Sequence, residues 1–309
     1  MKRFAALKTA VLSVLILALA ASSPGHSSIG NPPQAVYLKT SVLGVRAHVV
    51  TVDLNDPTLQ VGVVLPMRGP GASEPFLSMI SRTRPVAAIT GTFFCTRSLL
   101  PIGDIVTDGR RVNAGAIGAC LAVTPDNQVK LTPGRRGIRA DWTGYDTGVR
   151  SGPLLVSGGR ININARTEGF RDRRLFGRHV RASIGVTAHN KLLLVVVRTP
   201  VTFGELAKVM RALGAVEAIN LDGGSSTALS YGGRILVNPG RRMTNLIVVQ
   251  RRTKPALPVT TAACPLTPPL TIAISNSPTP FPPDEDSVAL TVPEHHAILP
   301  EKVEQKKAM

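Results

Sequence analysis

The chain has 309 residues, of which 43% are hydrophobic and 18% charged, so it can bury one large core or two small ones. Aromatics contribute only 4%, which leaves that core to Val, Ile, Leu and Ala. The formal charge is +17, yet no helix-turn-helix, zinc-finger spacing or aromatic-basic RNA signature accompanies it, so no nucleic-acid partner is expected.

Taken from the N-terminus, Lys2, Arg3 and Lys8 precede an apolar run from Thr9 to Ala21, and Ser22 and Ser23 follow. A positive end, a short apolar stretch and a small-residue exit describe a secretory signal, or an uncleaved N-terminal anchor, over residues 1–23. Residues 24–34 read as a linker, residues 35–252 as the folded body, and residues 253–309 as a Pro-rich disordered tail. Export places the body outside the cytoplasm, secreted or tethered to membrane or cell wall. Six basic and six acidic residues cancel from Arg251 onward, so the positive excess falls on the body. Such a body attracts an anionic polymer or a phosphorylated glycan. Three cysteines are too few for a disulfide scaffold; Cys95 and Cys120 could pair or stay separate thiols, and Cys264 falls in the tail.

Within the body, short β-branched runs alternate with turn residues. Strands are expected over Ala47–Leu54, over the following "LQVGVVL", and over Pro85–Thr90. "DIVTDGRRVN" reads as a hairpin because Asp108-Gly109 tolerates positive φ. Further hairpins turn at Pro125-Asp126-Asn127, Gly158-Gly159, His189-Asn190 and Gly232-Gly233. A short helix is expected over Glu74–Arg82. A second starts at Thr202, where Thr202 and Glu205 have capping-box spacing, and stops at Gly214. The fold class read from this order is α+β, a largely antiparallel or mixed sheet with a few covering helices.

"EAINLDGGSSTAL" (Glu217–Leu229) carries the chemistry. A buried strand ends on one carboxylate, Asp222, and Gly223 and Gly224 let a ligand approach the main chain beside Ser225. The alternative is a tight turn whose Asp caps local amides. The loop is neither a serine-hydrolase elbow nor a phosphate loop, since Gly is missing two residues after Ser225 and no Gly-Lys-Ser/Thr follows.

Six segments, in order, resemble the phosphodiester glycosidase domain family over roughly residues 85–250. They are "AITGTFFC", "PIGDIVTDGR", "SGPLLVSGGR", "RASIGVTAHNKLLLVVV", "ELAKVMRALGAVEAINLDGGSSTAL" and "VNPGRRMTNLIVV". Thr90 stands where many members have Asn, and two glycines follow Asp222 where many have three. The resemblance implies a hydrolase that frees a sugar from a sugar-1-phosphodiester, acting on envelope or extracellular glycans. By motif, Asp222 is the expected catalytic carboxylate and Asp104 a second one, since glycoside cleavage often uses two. Arg181 and Arg241 would hold the phosphodiester. Asn220 and Asn238 would position sugar hydroxyls, with Gly223, Gly224, Ser225 and Thr90 shaping the site. No cofactor is required by these residues, and a divalent metal at Asp222 stays open. Phe93 and Phe94 read as core. The arginine-rich segment 160–181 reads as a solvated loop or an anionic-polymer groove. A binding module for anionic envelope polysaccharide is the alternative function.

Overall fold

The computed structural model describes residues 34–252. The expected signal, nearly all of the expected linker, the expected tail and Cys264 lie outside the described residues. In chain order the elements are β1 (Ala35–Val42), β2 (Val45–Asp53), β3 (Leu59–Val64), α1 (Phe76–Thr83), β4 (Ala87–Thr90), β5 (Gly103–Thr107) and β6 (Arg110–Ala116). Then come β7 (Ala119–Val123), β8 (Val129–Thr132), β9 (Thr147–Ser151), β10 (Leu154–Ser157), β11 (Arg160–Ile161), β12 (His179–Thr187) and β13 (Lys191–Val201). The last are α2 (Phe203–Ala212), β14 (Ala215–Asn220), β15 (Leu229–Tyr231), β16 (Arg234–Val237) and β17 (Leu246–Arg251).

These strands form three sheets. One has seven strands in the order β1-β2-β13-β12-β14-β10-β11, and two have five, β16-β15-β4-β17-β3 and β6-β5-β9-β7-β8. Adjacent strands within each sheet run antiparallel, from the β1–β2 hairpin to the β7–β9 pair. The molecule is therefore mainly β, with two α-helices among the described residues; α+β describes it loosely, and the mixed pairing is not seen. Six of these pairs are hairpins closed by two to five residues, and such short turns can only join antiparallel neighbours.

Strand β13 shows how the core is divided. Side chains alternate across a strand, and both faces of β13 are buried. Leu192, Leu194 and Val196 enter a core shared by all three sheets, with Val50, Ile184, Leu121, Val149, Ile89 and Ile247. Leu193, Val195 and Val197 face the other way and pack on Phe203, Leu206 and Met210 of α2. That helix begins as its spacing dictates: the Glu205 amide donates to the Thr202 hydroxyl at 3.3 Å and the Thr202 amide donates to Glu205 at 2.8 Å. Gly214 follows with φ of 90°. Helix α1 covers the outer face of the β4–β17 sheet through Phe76, Met79 and Ile80. Its ends differ by up to two residues from the sequence reading, because Pro75 occupies the N-cap.

The sequence leaves two points open. Cys95 and Cys120 form no bond: Cys95 is exposed and Cys120 is buried. β1 is an edge strand beside β2 with irregular burial, a pattern that the sequence does not mark as a strand.

Candidate functional site

The site forms where the chain leaves the seven-stranded sheet for the β4–β17 sheet. β14 ends at Asn220, and the Leu221 amide still donates to Ala182 of β12 at 2.9 Å. The next amide, that of Asp222, instead donates to Gly91 at 3.0 Å, beyond the end of β4. A single-turn 3-10 helix (Gly224–Ser226) then redirects the chain into β15. Asp222 is thus fixed from both sheets at once.

The Gly91 side of the junction admits no side chain. A Cβ there would lie 1.8 Å from the Asn245 side-chain oxygen. That oxygen accepts from the Thr92 amide at 2.7 Å, so Asn245, buried before β17, braces the segment that braces Asp222. Gly223 is equally constrained, because a Cβ would approach the Val180 carbonyl to 2.8 Å. Gly224 has open space but a φ of 57°, the left-handed region that glycine enters without strain. The Ser225 carbonyl accepts from the Gly240 amide at 2.8 Å, which ties the Asp222 loop to the loop carrying Arg241.

A cavity of about 290 Å³ opens here. Its wall includes Phe93, Phe94, His179, Arg181, Asp222 and Arg241, with Asn220, Gly223 and Gly224 beneath. Asp172 and Arg174 stand at its rim. A larger hollow of about 830 Å³ beside Glu74 and Arg242 lacks any such convergence, since Glu74 is already held by Arg82 at 2.9 Å. Burial pushes the Asp222 carboxyl up to about 6, against the opposing pull of the Ser226 hydroxyl, the Gly223 amide and the Arg241 charge. Asp222 keeps a partly accessible surface, so it can meet a ligand. Its Oδ1 accepts from the Gly223 amide at 2.9 Å.

The two arginines differ. Arg241 is exposed, stacks on the Phe94 ring at 4.5 Å and is electrostatically coupled to Asp222. It lines the cavity and makes no ion pair among the described residues. Arg181 is buried on β12 and stacks on Phe203 at 3.9 Å. It donates from Nε to the Val201 carbonyl and from Nη2 to those of Leu175 and Gly177, each at 2.8 Å. Burial without a carboxylate partner pulls it down to about 10. It therefore fixes the rim segment and lends the cavity positive potential. Asn220 donates to the Gly152 and Leu221 carbonyls at 3.0 and 2.7 Å, while its buried Oδ1 has no partner.

The remaining expected residues are not brought to the wall. Asp104 is buried elsewhere, accepting from the Gly115 amide and the Trp142 indole, each at 3.0 Å. It pins a sheet and a ring and does not line Asp222's cavity. Asn238 is exposed and outside the lining, and Ser225 contributes its carbonyl but does not line the cavity. Thr90 is buried inside β4 and is likewise absent from the wall. Conversely, Phe93 and Phe94 are half-buried walls rather than core. Part of the arginine-rich segment forms the rim, and His179 belongs to the lining. The position of the aromatic pair just past a strand end was the available signal. Among the described residues no cluster of three or more His, Cys, Asp or Glu could hold a metal, and no helix is long and apolar enough to cross a membrane.

Solved structures share the fold. A hypothetical protein from Synechocystis matches at TM-score 0.55 and 19% identity, covering 70% of this chain and 61% of its own. The chain thus spans less than two thirds of that protein. The catalytic domain of zebrafish N-acetylglucosamine-1-phosphodiester alpha-N-acetylglucosaminidase, auto-inhibited by its pro-peptide, matches at TM-score 0.59 and 20% identity, covering 72% of this chain and 85% of its own. A putative exported protein from Burkholderia pseudomallei matches at TM-score 0.52 and 16% identity, covering 67% and 74%. No curated protein matches. The family model described as phosphodiester glycosidase matches residues 83–250, a span that contains the whole Asp222 cavity, and the chain belongs to that family.

Proposed function

We propose that this chain is an exported hydrolase that cleaves a glycosyl phosphodiester in an envelope or extracellular glycan, with Asp222 as the catalytic base. The observation that carries the reading is the pairing, on one cavity wall, of a carboxyl held near 6 with a guanidinium that makes no ion pair among the described residues. A base works best when its pKa lies near the working pH. Arg241 would grip the phosphodiester by two parallel donors, stiffened by its stacking on Phe94. Phe93 and Phe94 would offer apolar faces to the sugar ring, and the unpartnered Asn220 Oδ1 an acceptor for a hydroxyl.

In the step so drawn, Asp222 takes a proton from water as its oxygen attacks the anomeric carbon. The bond from that carbon to the phosphate oxygen breaks, and its electron pair leaves with the phosphate monoester held by Arg241. A phosphate leaves as an anion, so no second acid is needed at the leaving oxygen. That agrees with the site's composition: the other carboxylate of the lining, Asp172, is kept ionised by the Arg174 side chain and amide and is a poor acid.

The test is sugar release from a panel of sugar-1-phosphodiesters by wild type and by Asp222→Asn. Asp222→Asn should lose about 10²–10⁴ in kcat while still binding. No release by wild type, with glycan binding intact in the variant, would replace the enzyme with a binding module.

A further inference from the structure

A second hollow, of about 290 Å³, lies on the β7–β8–β9 sheet. The strand register explains why it exists. Cys120 faces Thr132 and Arg150 across the ladders, and Ala122 faces Lys130 and Gly148. Cys120, Ala122 and Gly148 share one face by alternation, and all three are small. The floor is therefore low, and the loop from Pro133 to Tyr145 arches over it as a wall.

That wall is fixed, not slack. Arg150 is fully buried and donates to the Gly118 carbonyl from Nε at 3.1 Å and from Nη2 at 3.0 Å. It reaches the loop through the Ile138 carbonyl at 2.8 Å and that of Arg135 at 3.4 Å. Trp142 lies on Gly148, where a Cβ would stand 2.4 Å from the ring, and its indole nitrogen donates to buried Asp104 at 3.0 Å. Half-buried Trp142 and Tyr145 are thus held as rigid apolar surfaces in the lining. Around them stand exposed Lys130, Arg135 and Arg139, none of which makes an ion pair among the described residues. Against these three cations the lining sets one carboxylate, Asp141, whose Oδ1 accepts from the Thr143 amide and hydroxyl at 3.0 and 2.7 Å.

We infer that this hollow is a second binding site, separate from the Asp222 cavity, for an anionic sugar unit of a glycan chain. Apolar ring faces suit the C–H face of a pyranose, and three unpaired cations select phosphate or carboxylate substituents. The volume, at the low end of the roughly 300–1,000 Å³ of small-molecule sites, suits one sugar unit and not a longer buried segment. The inference rests on the substrate class proposed above but requires no catalysis. One hydrogen bond links the surroundings of the two sites: the Thr92 hydroxyl, next to Phe93 of the first cavity, donates to the carbonyl of Arg150 in the second at 2.6 Å.

The sequence holds one tryptophan, so intrinsic tryptophan emission reads this hollow alone. The probe is phosphorylated mannan, titrated into the full chain carrying Asp222→Asn so that nothing turns over, with unphosphorylated mannan as control. Trp142 emission should change saturably with the phosphorylated polymer only. Arg135→Glu with Arg139→Glu, both at exposed positions, should weaken that response at least about tenfold, with the melting curve unchanged. Arg241→Ala should leave it intact. Unchanged emission at saturating polymer, an equal response to neutral mannan, or loss of the response in Arg241→Ala would each overturn the inference. Turnover of a small sugar-1-phosphodiester reports on the Asp222 cavity separately, so failure of the catalytic reading and failure of this one give different results.

Discussion

Asp222→Asn should make the fold more stable while removing turnover. The carboxyl rises from 3.8 to about 6, chiefly through burial. Between those values the folded chain holds a proton that the unfolded chain has released. Folding therefore grows less favourable as pH rises across that window; the cost is absent below 3.8 and full above about 6. Near two units correspond to about 3 kcal/mol at neutral pH. Asparagine keeps an oxygen for the Gly223 amide but gives up the attraction of Arg241, so about 2 to 3 kcal/mol should be recovered. For a domain of this size that is a rise in Tm of roughly 4–12 °C. Thermal melts of both proteins at pH 8 and pH 4.5 are the assay. The gap should shrink to about 1 kcal/mol at the lower pH, where the folded wild type is protonated. A variant no more stable than wild type at pH 8, or a gap that ignores pH, would refute the claim that burial sets this carboxyl.

Other consequences can be measured on the same preparations. The kcat/KM of wild type should rise with pH through about 6 on its acid limb, since only ionised Asp222 accepts a proton; a flat profile there would remove it as the base. Arg241→Lys keeps the charge but loses the paired donors and the stacking, and should lower kcat/KM by about 10–100-fold. Burial pushes Glu168, which accepts from the Leu154 amide at 3.1 Å, up to about 7. Its raised value makes stability fall as pH climbs from 4.5 to about 7, so urea midpoints should decline over that range and decline less in Glu168→Gln. In a Cys264→Ser variant, one thiol should react with a thiol reagent in the native state, that of exposed Cys95, held near 7 by Ser98, and a second only after unfolding, that of buried Cys120.

What could be read from the sequence was local. The Thr202–Glu205 cap and the Asp108-Gly109 turn depend on neighbours within a few residues, and both are present, with φ of 50° and 69° at the turn. Asp222 was legible for the same reason: strand, acid and glycines are contiguous. Asp104 followed a similar local pattern, but its role is decided by Gly115 and by Trp142, which lies 38 residues away. Local spacing carries no information about such partners. Arg181 shows a subtler limit. Its place in the cavity wall agrees with the motif, yet the direction of its donors depends on where Leu175, Gly177 and Val201 leave their carbonyls. Nor could the sequence divide its strands among three sheets, because that partition follows from long-range pairing such as that of β4 with β17, from Ala87–Val249 to Thr90–Leu246.

Three unfavourable features meet in the Asp222 cavity, and their conjunction says more than any one of them. Asp222 is ionised at neutral pH at a cost set by burial. Arg181 is a buried cation with no carboxylate partner. Asn220 has a buried oxygen with no donor. Each would be relieved by deleting its polar group, since an unmade buried hydrogen bond costs about 1–3 kcal/mol. The fold instead braces all three, through Asn245 behind Gly91, the carbonyls around Arg181 and the Ser225–Gly240 bond. A ligand that brings a hydroxyl donor, a negative phosphate and a proton to be taken offsets all three costs at once. A glycosyl phosphodiester with its attacking water has those groups, whereas a neutral sugar lacks the charge and free phosphate lacks a sugar ring for the aromatic wall. Competition should follow that order: inhibition of turnover by inorganic phosphate or by the free sugar alone should be weaker than by a non-hydrolysable sugar phosphonate diester, and equal inhibition by phosphate would reduce the cavity to an anion site.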